Sequence, residues 1–137
     1  MRASLSAHVF ALLAGVTTAF QLALVAGAPW GAITQGGRYP GVLPWGARAV
    51  AVISAILLLA FIGIVRRHAD ARPKARALRF PRLIWAVVTY CALGIAAHVA
   101  TPSALERALW LPVVTLMFLT SLHVARRRRG SQSHSAV

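Results

Sequence analysis

The chain has few side chains able to do chemistry, and they are unevenly placed. Of 137 residues, only two are acidic and five are histidine, against fifteen lysines and arginines. One of the two acids, Glu106, stands beside Arg107, and Gln21, Gln35, Arg38 and His98 are further polar residues within or bordering long apolar stretches. Ionisable groups in such stretches are costly and often mark functional sites. These six residues are the ligand-binding candidates, and in a membrane enzyme the substrate would be lipid-like. His98, Glu106 and Arg38 are the polar groups on which a reaction with such a substrate would depend.

Plainer roles exist for most of them. Ser103-Ala104-Leu105-Glu106 has the spacing of a capping box, with Ser103 at the helix start and Glu106 three residues on. Arg48 and Arg107 can snorkel to headgroups, and His98 can satisfy a backbone carbonyl. No paired carboxylates, nucleophile–base set, phosphate-binding loop or dinucleotide fingerprint occurs, so no catalytic residue is assigned. The single cysteine, Cys91, has no histidine at zinc-site spacing, and neither a metal nor a cofactor is expected.

These groups must be positioned by apolar elements. The sequence is 58% hydrophobic and 12% charged, where a soluble domain would be roughly a quarter charged. The apolar residues form four blocks, at about 5–27, 47–65, 83–100 and 108–125, each near the length that crosses a hydrocarbon core. The expected architecture is all-α, a membrane-embedded bundle of four helices made of two hairpins and forming one transmembrane domain. The first block is read as a retained span, because it is longer than the apolar part of a signal peptide and Pro29 follows the small residues at its end.

Lysines and arginines in the connections set the orientation. Twelve lie on one side (Arg2, seven between Arg66 and Arg82, and Arg126 to Arg129) and three on the other (Arg38, Arg48, Arg107). Both termini are therefore expected in the cytoplasm of a cell carrying this protein in its plasma membrane. The second connection, with Pro73 and Pro81, is expected to lie on anionic headgroups. Residues 130–137 are small and polar and are expected to form a disordered tail. A net charge of +13 would also suit nucleic acid, but the basic residues end apolar runs rather than line a helix face, so none is expected.

On the first span Ala7, Ala11, Gly15, Ala19, Ala23 and Gly27 recur every fourth residue. Such a row allows close approach of a second helix, so Ala11, Gly15, Ala19 and Ala23 are the expected packing seam. The second span offers Ala47, Ala51 and Ala55 for it to meet. The two hairpins echo each other weakly, each having a proline-containing outward connection followed by Arg-Ala (Arg48-Ala49, Arg107-Ala108). That is the pattern of a duplicated unit or simply of any two positively terminated hairpins.

The first outward connection holds six of the ten glycines, three of the seven prolines and two of the four tryptophans. This composition implies a compact loop rather than a slack linker. Trp30, Tyr39 and Trp45 suit the headgroup layer, so the loop is either an interfacial cap or a lid presenting Gln35 and Arg38. The Gly27-Ala28-Pro29-Trp30-Gly31 stretch, the Gly36-Gly37 pair and Leu43-Pro44 resemble small, uncharacterised four-helix membrane proteins of bacteria. The resemblance covers the first hairpin; it implies a bacterial cell membrane and brings no activity. Three functions stay open: a structural or accessory subunit, within a homo-oligomer or beside another membrane protein; a transporter or channel component; and a membrane enzyme acting on a lipid-like substrate at the outer face.

Overall fold

The computed structural model describes residues 3–70 and 82–132, with side chains up to Arg127. It is an all-α bundle of four helices: α1 (Ala3–Val25), α2 (Trp45–Ala69), α3 (Leu83–Ala100) and α4 (Ala104–Gln132). Each is long and apolar enough to cross a membrane, which makes this a multi-pass membrane protein. The expected surface segment between Arg66 and Arg82 lies mostly outside the described residues. So does most of the expected tail, although α4 continues to Gln132, three residues into it.

Local chemistry explains the helix ends. Gly27, with φ of 101°, closes α1: its N–H reaches the Leu24 carbonyl at 3.1 Å, and the Ala28 N–H reaches Ala23 at 2.9 Å. This is the paired closure that a glycine just past a helix permits. Pro29 then prevents continuation. Pro44 precedes α2 in an extended conformation. Between α3 and α4, Pro102 keeps Thr101 extended, and Ser103 Oγ accepts the Glu106 N–H at 3.2 Å to start α4. Pro112 lies within α4.

In the bundle α1 is central. It packs most closely on α2 and also on α4, α3 packs on α4, and α2 and α3 barely touch. The main core lies towards the end bearing the termini and includes Phe10, Ala14, Val65, Val87, Cys91 and Val124. A smaller cluster at the loop end joins Leu24, Leu43, Ala47 and Ala51, with Phe20 and Tyr39 against it. Outward faces carry large apolar side chains such as Leu12, Ile53, Ile56 and Leu105, each more than half exposed. Lipid as the solvent accounts for them.

The small-residue row on α1 is not the row that packs within the chain. Ser6, Ala7, Phe10, Ala14 and Thr18 are buried, whereas Ala11, Gly15 and Ala23 are part-exposed and Ala19 is exposed. A side chain added at Gly15 would meet nothing within 4 Å. The buried row is displaced by one residue, about 100° around the helix. On α2, by contrast, Ala47, Ala51 and Ala55 are all buried.

Candidate functional site

The loop between α1 and α2 folds into two single-turn helices, Gly31–Ile33 and Gln35–Gly37. The Gly31 N–H donates to the Gly41 carbonyl at 2.9 Å, and Gly31 lies so close to Tyr39 that a Cβ there would overlap the Tyr39 carbonyl oxygen. Only glycine fits such an approach. Four side chains then fasten the loop to the helices. Trp110 Nε1 donates to the Ile33 carbonyl at 2.8 Å, and Ser103 Oγ donates to the Ala32 carbonyl at 3.0 Å. Gln35 Nε2 donates to the Ala47 carbonyl at 2.9 Å, and Glu106 Oε2 accepts the Gly36 N–H at 2.7 Å. Phe20 stacks on Trp30 at 5.8 Å and meets Trp110 at 4.6 Å.

Two arginines close the helix ends at the same level. Arg48 donates from Nε to the Leu43 carbonyl at 2.9 Å and from Nη1 to the Val25 carbonyl at 3.4 Å, while its guanidinium lies 4.9 Å from the Trp45 ring centre. Arg107 Nη1 donates to the Thr101 carbonyl at 2.9 Å. Each therefore reaches back from the first turn of a returning helix to the carbonyl end of the outgoing one, where positive charge is favoured. Both half-buried side chains are thus held by protein carbonyls. This local equivalence extends the echo between the hairpins.

Beneath the loop lies a cavity of about 410 Å³, bordered by all four helices and by Thr34. It sits where α2 and α3 are loosely packed. The Phe61–Tyr90 edge-on contact, at 4.9 Å, joins these helices on the side towards the termini. Leu58, Leu93, Val113, Val114 and Met117 make its walls largely apolar. At Gly94 a Cβ would stand 2.9 Å from Val114 Cγ2, so the glycine lets α3 approach α4 at the cavity wall.

Gln21, His98 and Glu106 line this cavity together, whereas Gln35, Arg38 and Arg107 do not. Gln35 is turned to the start of α2 and Arg107 to the end of α3. Arg38 is exposed, 5.8 Å from the Tyr39 ring centre. Glu106 is buried, and its Oε2 also accepts from Thr101 Oγ1 at 3.2 Å. Half of the expected capping box is therefore formed by Ser103, while the carboxylate holds Gly36 and Thr101. His98 Nδ1 lies 2.7 Å from the Gly94 carbonyl.

Thr17, Thr34, Ser54, Tyr90 and Trp110 also line the cavity, and sequence reasoning did not single them out. A signal was present in the spacing. Thr17 precedes Gln21, Gly94 precedes His98 and Glu106 precedes Trp110, each by four residues, one helical turn. Among the described residues, no three histidine, cysteine, aspartate or glutamate side chains cluster as a metal site. Comparison with protein-family models, curated proteins and solved structures gives no match for this chain.

Proposed function

We propose that this protein resides in a bacterial plasma membrane with both termini in the cytoplasm and holds a lipid-like amphiphile in the cavity beneath its outer loop, as a non-enzymatic binding or accessory component. The observation that carries the reading is the cavity itself: apolar walls from four helices, with Gln21, His98 and Glu106 on its lining. A concave, mostly apolar site with a few polar groups is the usual form of a small-molecule site. The weak α2–α3 contact gives an acyl chain a lateral route from the bilayer.

Orientation is supported by the basic residues at the termini end. Arg66, Arg67, Arg82, Arg126 and Arg127 are all exposed there, as anionic cytoplasmic headgroups would require. An impermeant thiol reagent tests this on intact cells carrying Arg38→Cys in place of the exposed arginine. Labelling from outside supports the orientation, and labelling only after lysis refutes it.

The ligand reading is tested by native mass spectrometry of the full chain released from gentle detergent. Wild type should carry a co-purified or added amphiphile, and Val113→Trp, which fills the cavity, should lose it while keeping its helical circular dichroism. A chain that binds no amphiphile, or binds equally well with the cavity filled, refutes the proposal.

Accessory assembly is a second reading, favoured by the row Ala11, Gly15, Ala19 and Ala23, which stands open on the bundle surface for another membrane helix or a second copy. Its test is cross-linking in native membranes, where Gly15→Ile should abolish a wild-type adduct.

A further inference from the structure

We infer that the cavity selects amphiphiles with a protonated amine head. The inference rests on the ligand-binding reading above and specifies its chemistry. The chain carries fifteen basic residues and two acidic ones. Its single glutamate lines the cavity, while none of the described arginines does. Basic residues dominate both ends of the bundle, yet among the described residues the only formal charge on the cavity lining is a carboxylate.

Acceptor capacity remains on the lining beside that charge, together with the donor groups that Gln21, Thr34 and Tyr90 carry. Glu106 binds Gly36 and Thr101 through Oε2, and both partners are uncharged. Its second oxygen, Oε1, has acceptor capacity to spare, because an ionised carboxylate accepts on both oxygens. The Gly94 carbonyl facing His98 Nδ1 assigns the proton of the neutral ring to that nitrogen, which leaves Nε2 as an acceptor. Several donors on the lining are already committed. Thr17 Oγ1 donates to the Leu13 carbonyl at 2.9 Å, Ser54 Oγ to the Val50 carbonyl at 2.9 Å, and Trp110 Nε1 to the Ile33 carbonyl at 2.8 Å.

An ammonium group supplies three donors and the opposite charge. It would meet the carboxylate and the imidazole acceptor, and aromatic rings such as those of Tyr90 and Trp110 on the lining attract cations. A phosphate or carboxylate head would bring a second negative charge into a low-dielectric site where no lysine or arginine stands among the described lining residues. An alcohol would fit without the charge-assisted gain.

The test uses the full chain in phosphatidylcholine nanodiscs, challenged in native mass spectrometry with dodecylammonium, dodecanol and dodecyl phosphate. These share one chain and differ in head charge. Wild type should favour dodecylammonium over dodecanol by about tenfold or more, the worth of one charge-assisted hydrogen bond. Glu106→Gln, which retains an acceptor for the Gly36 N–H, should lose most of that preference with a smaller fall in thermal midpoint than Glu106→Ala. His98→Phe, which leaves the loop attachments untouched, should weaken ammonium binding by about threefold or more. An unchanged preference in Glu106→Gln, or preference for the anion, overturns the selectivity while leaving amphiphile binding in place. Failure to bind any of the three overturns both.

Discussion

Glu106 Oε2 and the Gly36 N–H are 2.7 Å apart although 70 residues separate them in sequence. This bond ties the outer loop of the first hairpin to the first turn of α4 in the second. Because Glu106 also lines the cavity, one of the loop's four anchors and the only formal charge among the described lining residues are one side chain. Position in the first turn of α4 suits it, since a helix N-terminus favours negative charge.

Glu106→Ala would leave the Gly36 N–H and the Thr101 hydroxyl without their acceptor. A donor stranded in a buried setting costs about 1–3 kcal/mol. The variant should show a lower thermal midpoint in detergent and faster proteolysis in the loop, with Glu106→Gln clearly less affected. Equal losses in the two variants would mean that the loop attachment does not depend on an acceptor at this position.

Gly31 and Gly46 should respond oppositely to alanine. At Gly31 the new methyl group overlaps the Tyr39 carbonyl, whereas at Gly46, in the first turn of α2, it meets nothing within 4 Å. Gly31→Ala should cost about 1–3 kcal/mol, as overpacking does, and Gly46→Ala should be neutral or stabilising by up to about 1 kcal/mol. Thermal unfolding of both variants in the same detergent gives the comparison.

Adjacent residues on α1 separate packing inside the chain from packing between chains. Ala14 is fully buried, and Gly15 has open space. Ala14→Ile should destabilise the isolated protein by about 1–3 kcal/mol, while Gly15→Ile should leave its thermal midpoint unchanged. A large loss at Gly15 in the dispersed single chain would contradict the helix orientation described above.

The arginines of the first hairpin should also differ. Arg48 binds the Leu43 and Val25 carbonyls, so Arg48→Met should cost about 1–2 kcal/mol by removing hydrogen bonds from a charged donor and the positive charge at the end of α1. Arg38, exposed and against one ring, should tolerate alanine within about 0.5 kcal/mol and without effect on amphiphile binding. Thermal midpoints and native mass spectra of both variants supply the measurement.

The candidate site was legible only in part. Gln21, His98 and Glu106 attract notice in the sequence because polar groups are rare in apolar blocks, and the structure brings all three to one cavity. Gln35, Arg38 and Arg107 stand out for the same reason, yet they are directed elsewhere by hydrogen bonds to Ala47 and Thr101 and by the ring of Tyr39. Rarity marks a residue and does not give its direction. Tyr90 and Trp110 drew no attention as site residues because aromatic side chains are ordinary in a membrane span.

The sequence by itself determined the four spans and their division into two hairpins. Partition into lipid depends on composition summed along about twenty consecutive residues, and that sum is local. Tertiary structure alone decided which face of each span turns inward. A bundle core and a lipid tail are equally apolar, so the hydrophobic pattern does not distinguish Ala14 from Gly15. Only the docking of α1 against α2 and α4 made that choice. The folded loop then brought Gly36 to Glu106 above the cavity.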